Sequence, residues 1–324
     1  MRALSCHQFG PEENLKLSNI QTPNVMAGMV LISVQAAAIN FPDLLCVQGN
    51  YQIKPELPFV AGGEGAGIIT KLGEGVDEFS IGDRVLFSGL TGAFGEFNCL
   101  PISAVEKIPD TMSFEHAAGI TIAYGTSYYA LNQRAALTVG ETLVVLGAGG
   151  GVGLAAVELG KLMGARVIAV ASSQEKLSVA QNYGADATIN YSEEDLKTQI
   201  KKLTNGVGAD VIYDPVGGIT SEAAFRSIAW GGRHLVIGFA NGDIPKIPLN
   251  LPLLKGASIV GVFWGAWVLQ NQKIHKANMK DLFQFYLDGN IQPHVGGRFL
   301  LEDFAMAFKE LSERRAIGKI ILTP

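Results

Sequence analysis

The chain has 324 residues, 48% of them hydrophobic and 17% charged, a globular composition long enough for two domains. Its net charge of -5 argues against nucleic acid as the main partner, and no apolar run reaches the roughly 18 residues of a membrane span. Cys6, Cys46 and Cys99 lie far apart with no CxxC spacing, so neither a disulfide framework nor a cysteine zinc cluster is expected, and the absence of a signal-like stretch in MRALSCHQFGPEENLKL points to the cytoplasm.

The first third reads as β structure. VLISVQAAAI, GAGIITKLG, DRVLFSG and GEFNCLP are short apolar segments separated by Gly, Pro and Asp, which predicts a compact barrel-like domain. A buried helix follows from Ser113 to about Asn132, with a break expected near Gly125. From Glu141 strands and helices alternate: TLVVLGAG, GVGLAAVELGKLMG, RVIAVAS, QEKLSVAQNYG, ATINY, EEDLKTQIKKLT and ADVIYDPVG. SEAAFRSIAW is expected as a helix, RHLVIGFA and ASIVGVF as strands. Near-continuous apolar strands between helices indicate a parallel sheet covered on both faces. The last segment, from about Trp264, predicts a helix around Met279–Leu287, a strand near Gly297–Leu300, a helix at Glu302–Ser312 and a terminal strand GKIILT.

Gly147-Ala148-Gly149-Gly150-Gly151-Val152-Gly153 meets GxGxxG incompletely in either register. It fits a shortened form in which Gly150 and Gly153 serve the tight turn and the close helix–strand contact. Its placement after a strand and at the start of a helix aims backbone N–H groups at one point, as a phosphate socket requires. An NAD site places an acid about 20 residues further on, at the end of the second strand. Here Ala171, Ser172 and Ser173 stand there, with Lys176 close by. Two hydroxyls and an ammonium suit a 2′-phosphate, so NADPH is favoured over NADH. Helix capping by Ser172 or Ser173 is compatible with that role.

Together, AINFPDLLCVQGNYQIKPELPFVAGGEGAG, IGDRV, GAGGGVGLAAVELGK, ASSQEKL, NYGADATINY and the terminal GKIIL resemble the zinc-independent quinone oxidoreductase (zeta-crystallin-like) branch of the medium-chain dehydrogenase/reductase family. The resemblance spans essentially the whole chain. It implies an α/β protein: a GroES-like β-barrel catalytic domain at 1–124 and 264–324, and a Rossmann doubly wound parallel sheet at 125–263 that binds NADP(H). It also implies NADPH as cofactor, a small quinone or enone as substrate, and a homodimer.

By the same resemblance, Asn40 and Tyr51 are the catalytic candidates beside the nicotinamide; Tyr51 either donates a hydrogen bond or only lines the cleft. Leu45 stands where many relatives have a second Tyr, and Asp43 reads as a helix cap. Gly149, Gly150, Gly151 and Val152 match the pyrophosphate turn, Ser172 and Lys176 the 2′-phosphate contacts, and Tyr191 an adenosine contact. Thr126, Gly217, Val236, Ile237, Gly238, Phe239, Val262, Phe263 and Trp264 match cofactor-flanking positions. Arg315 reads as a surface residue or a phosphate contact, and the five histidines as structural. The zinc ligands of metal-dependent relatives fall at Asn40, Gly63 and Ile122, which are not zinc-binding side chains, so no metal is expected. Quinone reduction by hydride or electron transfer is the favoured activity. Reduction of an enoyl thioester or alkenal, NADPH binding without turnover, and a zinc alcohol dehydrogenase are the alternatives.

Overall fold

The computed structural model describes residues 1–324. Strands β1 (Arg2–Cys6), β2 (Leu15–Asn19) and β3 (Met29–Ile39) precede helix α1 (Phe41–Gln48), followed by β4 (Phe59–Val60), β5 (Glu64–Leu72), β6 (Arg84–Ser88), β7 (Phe97–Pro101), β8 (Val105–Lys107) and α2 (Phe114–Tyr128). The alternating half begins with β9 (Thr142–Leu146), α3 (Gly151–Leu162), β10 (Arg166–Ala171), α4 (Gln174–Asn182), β11 (Ala187–Asn190) and α5 (Leu196–Leu203). It continues with β12 (Ala209–Asp214), α6 (Gly218–Phe225), β13 (Ile228–Val236), α7 (Asn250–Lys255), β14 (Ser258–Gly261), α8 (Trp264–Gln270) and α9 (Gln272–Leu287). The chain closes with β15 (Val295–Leu300), α10 (Phe304–Ser312) and β16 (Lys319–Thr323).

Two compact units result: Met1–Ile122 with Gln292–Pro324, and Ala123–Ile291. In the first, β15-β16-β3-β5-β6-β8 form one sheet, with β7 also on β3, while β2-β1-β4 form a smaller one. Long β3 serves β5 on one side and both β16 and β7 on the other. Val30, Ile32, Ile69, Phe87, Phe94 and Phe308 lie in the core.

In the second unit the strands run in the order β11-β10-β9-β12-β13-β14, all parallel. The order reverses direction between β9 and β12, so their carboxyl ends flank a switch point, the place where open α/β sheets take ligands. The apolar runs read as strands are core here: Val144, Leu146, Ile168, Val170 and Ile212 are each at most 1% exposed.

The structure differs from the sequence reading in three places. Helix α2 runs unbroken through Gly125 and passes into a π turn over Tyr129–Arg134. Gly125 is there for packing: a Cβ would meet the Trp264 indole at 2.9 Å. The SEAAFRSIAW segment is helical only to Phe225, and Ile228 already pairs with Ala209 in β13. Gly231, at φ +71, lets the strand bulge before Arg233 rejoins the ladder, a conformation the helical pattern did not suggest. Residues 264–291 group with the second unit. Their apolar face explains it, with Met279 and Leu282 fully buried and Phe285 edge-on to Tyr128.

Candidate functional site

The glycine-rich turn leaves β9 and enters α3. Gly147, at φ +61, makes the tight turn expected of Gly150, and the Gly150 N–H closes it on Gly147 O at 3.0 Å. Gly150 is instead the N-cap of α3, with φ -84 and ψ 169. A Cβ at Gly150 would meet nothing nearer than Gly147 O at 3.5 Å, so the space before the helix N-terminus is open. Gly153 makes the close contact expected of it: a Cβ there would lie 2.2 Å from Gly147 O. Gly151 and Val152 form the first turn of α3, and Ser127 braces it by donating to Val152 O at 3.0 Å while sharing a 2.8 Å hydrogen bond with the buried Tyr213 hydroxyl. Thr126 is buried on α2.

At the end of β10 no acid intervenes between strand and helix. Ser173 caps α4 by accepting from the Lys176 N–H, so the capping role falls to Ser173 and the Ser172 hydroxyl remains on a half-buried residue. The Lys176 stem crosses the glycine turn: a Cβ at Gly149 would meet its Cβ and Cγ at 2.7 Å. The stem of a lysine in the helix after the second strand thereby lies against the first-strand loop. Half-buried Tyr191 follows β11, its N–H bonded to Ala171 O at 3.2 Å, and Ser192 Oγ donates to Ser172 O at 3.1 Å. A glycine cradle with an open helix N-terminus, adjoining hydroxyls and a lysine, fits a dinucleotide with a 2′-phosphate.

Gly217, at φ +76, lies in the turn after β12, and its Cβ would strike Asp243 O at 2.9 Å and Phe239 at 3.0 Å. Val236, Ile237, Gly238 and Phe239 leave β13 beside it, with the Ile237 N–H on Asp214 O at 2.9 Å. Val262 is buried, Phe263 is 47% exposed, and Trp264 begins α8 with its indole N–H unpartnered. Trp267 stacks on Tyr129, so it belongs to packing. His275, edge-on to Trp264, is pushed down to about 4 by burial and is neutral at physiological pH.

In the first unit, Asn40 is the N-cap of α1 and Asp43 closes its first turn: the Asp43 N–H donates to Asn40 O at 3.0 Å and Asp43 Oδ2 accepts from the Asn40 N–H at 2.7 Å. The sequence reading of Asp43 as a cap therefore agrees with its geometry. Asn40 is 7% exposed and fully engaged: Nδ2 donates to Glu64 Oε1 at 2.9 Å and Ala38 O at 3.2 Å, and Oδ1 accepts from Lys319 Nζ at 2.5 Å. Lys319 also pairs with Glu64 at 2.8 Å, and Glu64 Oε2 accepts from the Ile122 N–H at 2.8 Å. Burial pushes the Asp43 carboxyl up to about 7, aided by the nearby Glu64 and opposed by the Asn40 and Gly63 N–H groups and Lys319. Tyr51 is half-buried; burial, then Cys46 and Asp43, hold its phenol above the ordinary value, so it stays an O–H donor at neutral pH.

This cluster does not fit zinc. A lysine ammonium already bonds Asn40, Ile122 carries no donor, and a Cβ at Gly63 would come within 3.2 Å of Asp43 Oδ1 and 3.3 Å of Gly89 O. No group of three or more His, Cys, Asp or Glu side chains is arranged for a metal. Arg315, the other phosphate candidate, pairs with Glu310 and Glu313 at the surface. Sequence reasoning overlooked Lys319 and Glu64. The signal was there: a charge opens each of two otherwise largely apolar or glycine-rich strands, Glu64 in β5 and Lys319 in β16.

A parallel sheet of this order, with a glycine turn at the first strand and a 2′-phosphate-compatible second strand, defines a dinucleotide-binding oxidoreductase of the α/β class. Residues 26–110 match the alcohol dehydrogenase GroES-like domain and residues 151–283 the zinc-binding dehydrogenase domain. The chain is 38% identical to a quinone oxidoreductase-like protein 2 homolog of Nematostella vectensis, over 99% of its own length and 88% of that relative's. Among solved structures it is similar to the mycobacterial protein Rv1454c complexed with NADPH, with a TM-score of 0.94 and 29% identity over 100% of both chains. It is also similar to Escherichia coli quinone oxidoreductase complexed with NADPH, with a TM-score of 0.92 and 27% identity over 100% of both. The chain belongs to the medium-chain dehydrogenase/reductase family, in its quinone oxidoreductase (zeta-crystallin-like) branch. It is an oxidoreductase with a GroES-like first unit and a Rossmann-type second unit. No helix is long and apolar enough to cross a membrane.

Proposed function

We propose that the chain reduces quinones or related activated carbonyls with NADPH, the second unit binding the cofactor and the first carrying catalysis. The observation that carries this reading is the Lys176 stem laid against Gly149, beside an open helix N-terminus and a β10 end without an acid. Gly149, Gly150, Gly151 and Val152 would hold the pyrophosphate, Ser172 and Lys176 the 2′-phosphate, and Tyr191 the adenosine. Thr126, Gly217, Val236–Phe239 and Val262–Trp264 would flank the nicotinamide half. When bound, NADPH supplies the hydride. Tyr51 is the donor of the first unit, a protonated phenol suited to stabilise negative charge on an acceptor oxygen. Asn40, with its polar atoms engaged, acts by holding the start of α1 rather than by touching substrate.

The test is titration of the protein with NADPH and with NADH, followed by turnover with an o-quinone. Tighter binding of NADH refutes the cofactor reading, and NADPH binding without turnover on any quinone favours a non-catalytic role. Lys176→Glu should abolish the preference for NADPH; unchanged selectivity removes Lys176 from the site.

We also propose a homodimer through the outer edge of β14. That edge ends the sheet unpaired, and Trp230 (79% exposed), Leu253 (79%) and Leu254 (66%) lie in the neighbouring β13 and α7. Sedimentation of the protein and of Leu253→Glu checks this: a monomeric parent protein, or a variant that stays dimeric, overturns it.

A further inference from the structure

The strongest unassigned polar cluster lies at the carboxyl end of β12. Asp214 is 2% exposed, Ser221 fully buried and His234 1% exposed, so none of the three is a surface group. Asp214 Oδ1 accepts from the Val216 N–H at 2.9 Å and the Gly217 N–H at 3.0 Å. Oδ2 accepts from the Ser221 hydroxyl and from His234 Nε2 at 3.1 Å. Burial pushes this carboxyl up, but the bonds from His234, Ser221 and Gly217 outweigh it and hold the group below its ordinary range. A carboxylate with four donors is fully satisfied, and the donors come from three parts of the local structure: the turn after β12, α6 and β13.

The cluster is not a nucleophilic triad. Ser221 and His234 both bond the carboxylate, and the other ring nitrogen of His234 has no partner. What the carboxylate does is fix a turn. Val216 and Gly217 fold back onto it, Ser221 ties it to α6 and His234 ties it to the next strand. The backbone carbonyl of Asp214 accepts from Ile237 and Gly238, Pro215 O from Ala240 and Val216 O from Asn241. The turn also meets the glycine loop, since a Cβ at Gly147 would lie 2.8 Å from Val216 Cγ2. One buried carboxylate thus sets two segments at adjacent strand ends and braces the turn of a third, all at the switch point of the sheet.

We propose that Asp214, held by His234 and Ser221, is a positioning residue for the nicotinamide half of the dinucleotide. This rests on the NADPH reading above. It touches no ligand itself and acts through Gly217 and the segment Ile237–Phe239. The adenosine end depends on a different pair of strand ends, those of β10 and β11, so the two halves of the cofactor should respond differently to loss of the cluster.

The experiment compares binding of NADPH with that of adenosine 2′,5′-bisphosphate, a fragment lacking the nicotinamide, by calorimetry on the full chain. His234→Phe keeps a ring beside Phe225 but removes the donor, whereas His234→Gln keeps a donor. Losing a hydrogen bond to a charged group predicts about tenfold weaker NADPH binding in the Phe variant, with fragment affinity unchanged within about twofold. The Gln variant should recover most of the loss. Ser221→Ala, a smaller change, guards against failure to fold and should show the same selective weakening. Parallel loss for both ligands, no loss, or a Phe variant that outperforms Gln overturns the proposal. A parent protein that binds the fragment but not NADPH refutes the positioning role alone; one that binds neither refutes the cofactor reading beneath it.

Discussion

Two glycines three residues apart in the same turn should fail in opposite ways when given a methyl group. At Gly153 the added Cβ would lie 2.2 Å from Gly147 O, 2.8 Å from Gly147 C and 2.9 Å from the Ala148 Cα. All three are backbone atoms of the preceding turn, so relief requires the helix and the loop to part by about 0.8 Å, measured against a closest tolerated approach of 3.0 Å. Overpacking of that kind costs about 1–3 kcal/mol, against about 1 kcal/mol gained from replacing a helical glycine by alanine. The collision is with main chain rather than a movable side chain, so the upper part of the range applies and Gly153→Ala should lose about 2 kcal/mol of stability. At Gly150 the backbone is extended and the nearest atom is 3.5 Å away. Alanine fits there, and only the poorer N-cap, worth about 0.5–1 kcal/mol, is charged against stability. The methyl would stand in the open space where the loop N–H groups receive phosphate. Losing one charge-assisted hydrogen bond is worth about 1.5–3 kcal/mol, about ten- to a hundredfold in affinity. Denaturant unfolding and NADPH titration of both variants give the readout. A folded Gly150→Ala protein that binds NADPH as well as its parent would refute the phosphate socket.

Lys319→Met should destabilise the first unit by about 3–5 kcal/mol, because it removes the cation paired with the buried Glu64 carboxylate; denaturant unfolding checks this, and a double variant with Glu64→Gln should recover much of the loss. Asp43 predicts a pH dependence of stability. Its folded-state value of about 7 lies above the ordinary 3.8, so its contribution is complete below pH 3.8 and is lost as pH rises through about 7. Asp43→Asn does not titrate, and thermal midpoints should therefore favour it over the parent by a growing margin from about pH 4 to about pH 8. A constant margin would mean that Asp43 is ionised throughout.

Much of the second unit was legible because its strands are buried on both faces and read as unbroken apolar runs between helices, from TLVVL at β9 to ADVIYD at β12. Legibility failed where glycine changes the backbone without changing the pattern. Ser227–Trp230 continues a helical rhythm in letters but already leads into β13, where Gly231 makes a bulge. Gly125 reads as a break and is a packing notch for Trp264. The glycine turn was recognisable by its place after a strand, although the positive-φ residue turned out to be Gly147 and Gly150 the helix cap. The long-range polar contacts were beyond reach for a different reason. Nothing local relates Lys319 to Asn40 or His234 to Asp214; only the sheet order brings those residues together.

The Lys319–Asn40 hydrogen bond spans 279 residues of chain. The second unit is one continuous segment, Ala123–Ile291, and holds all the strands of its own sheet. The first unit is split, and β16 must pair with β3 before its main sheet is complete. On a ribosome, where domains fold as they emerge, the inserted unit can therefore mature while the earlier one still waits for its final strand. Until Lys319 arrives, Glu64 and the cap of α1 lack their cation, and the Ala37–Ile39 end of β3 that β16 will cover is open to other partners. The arrival of β16 thus decides when the first unit, begun well before it, becomes native.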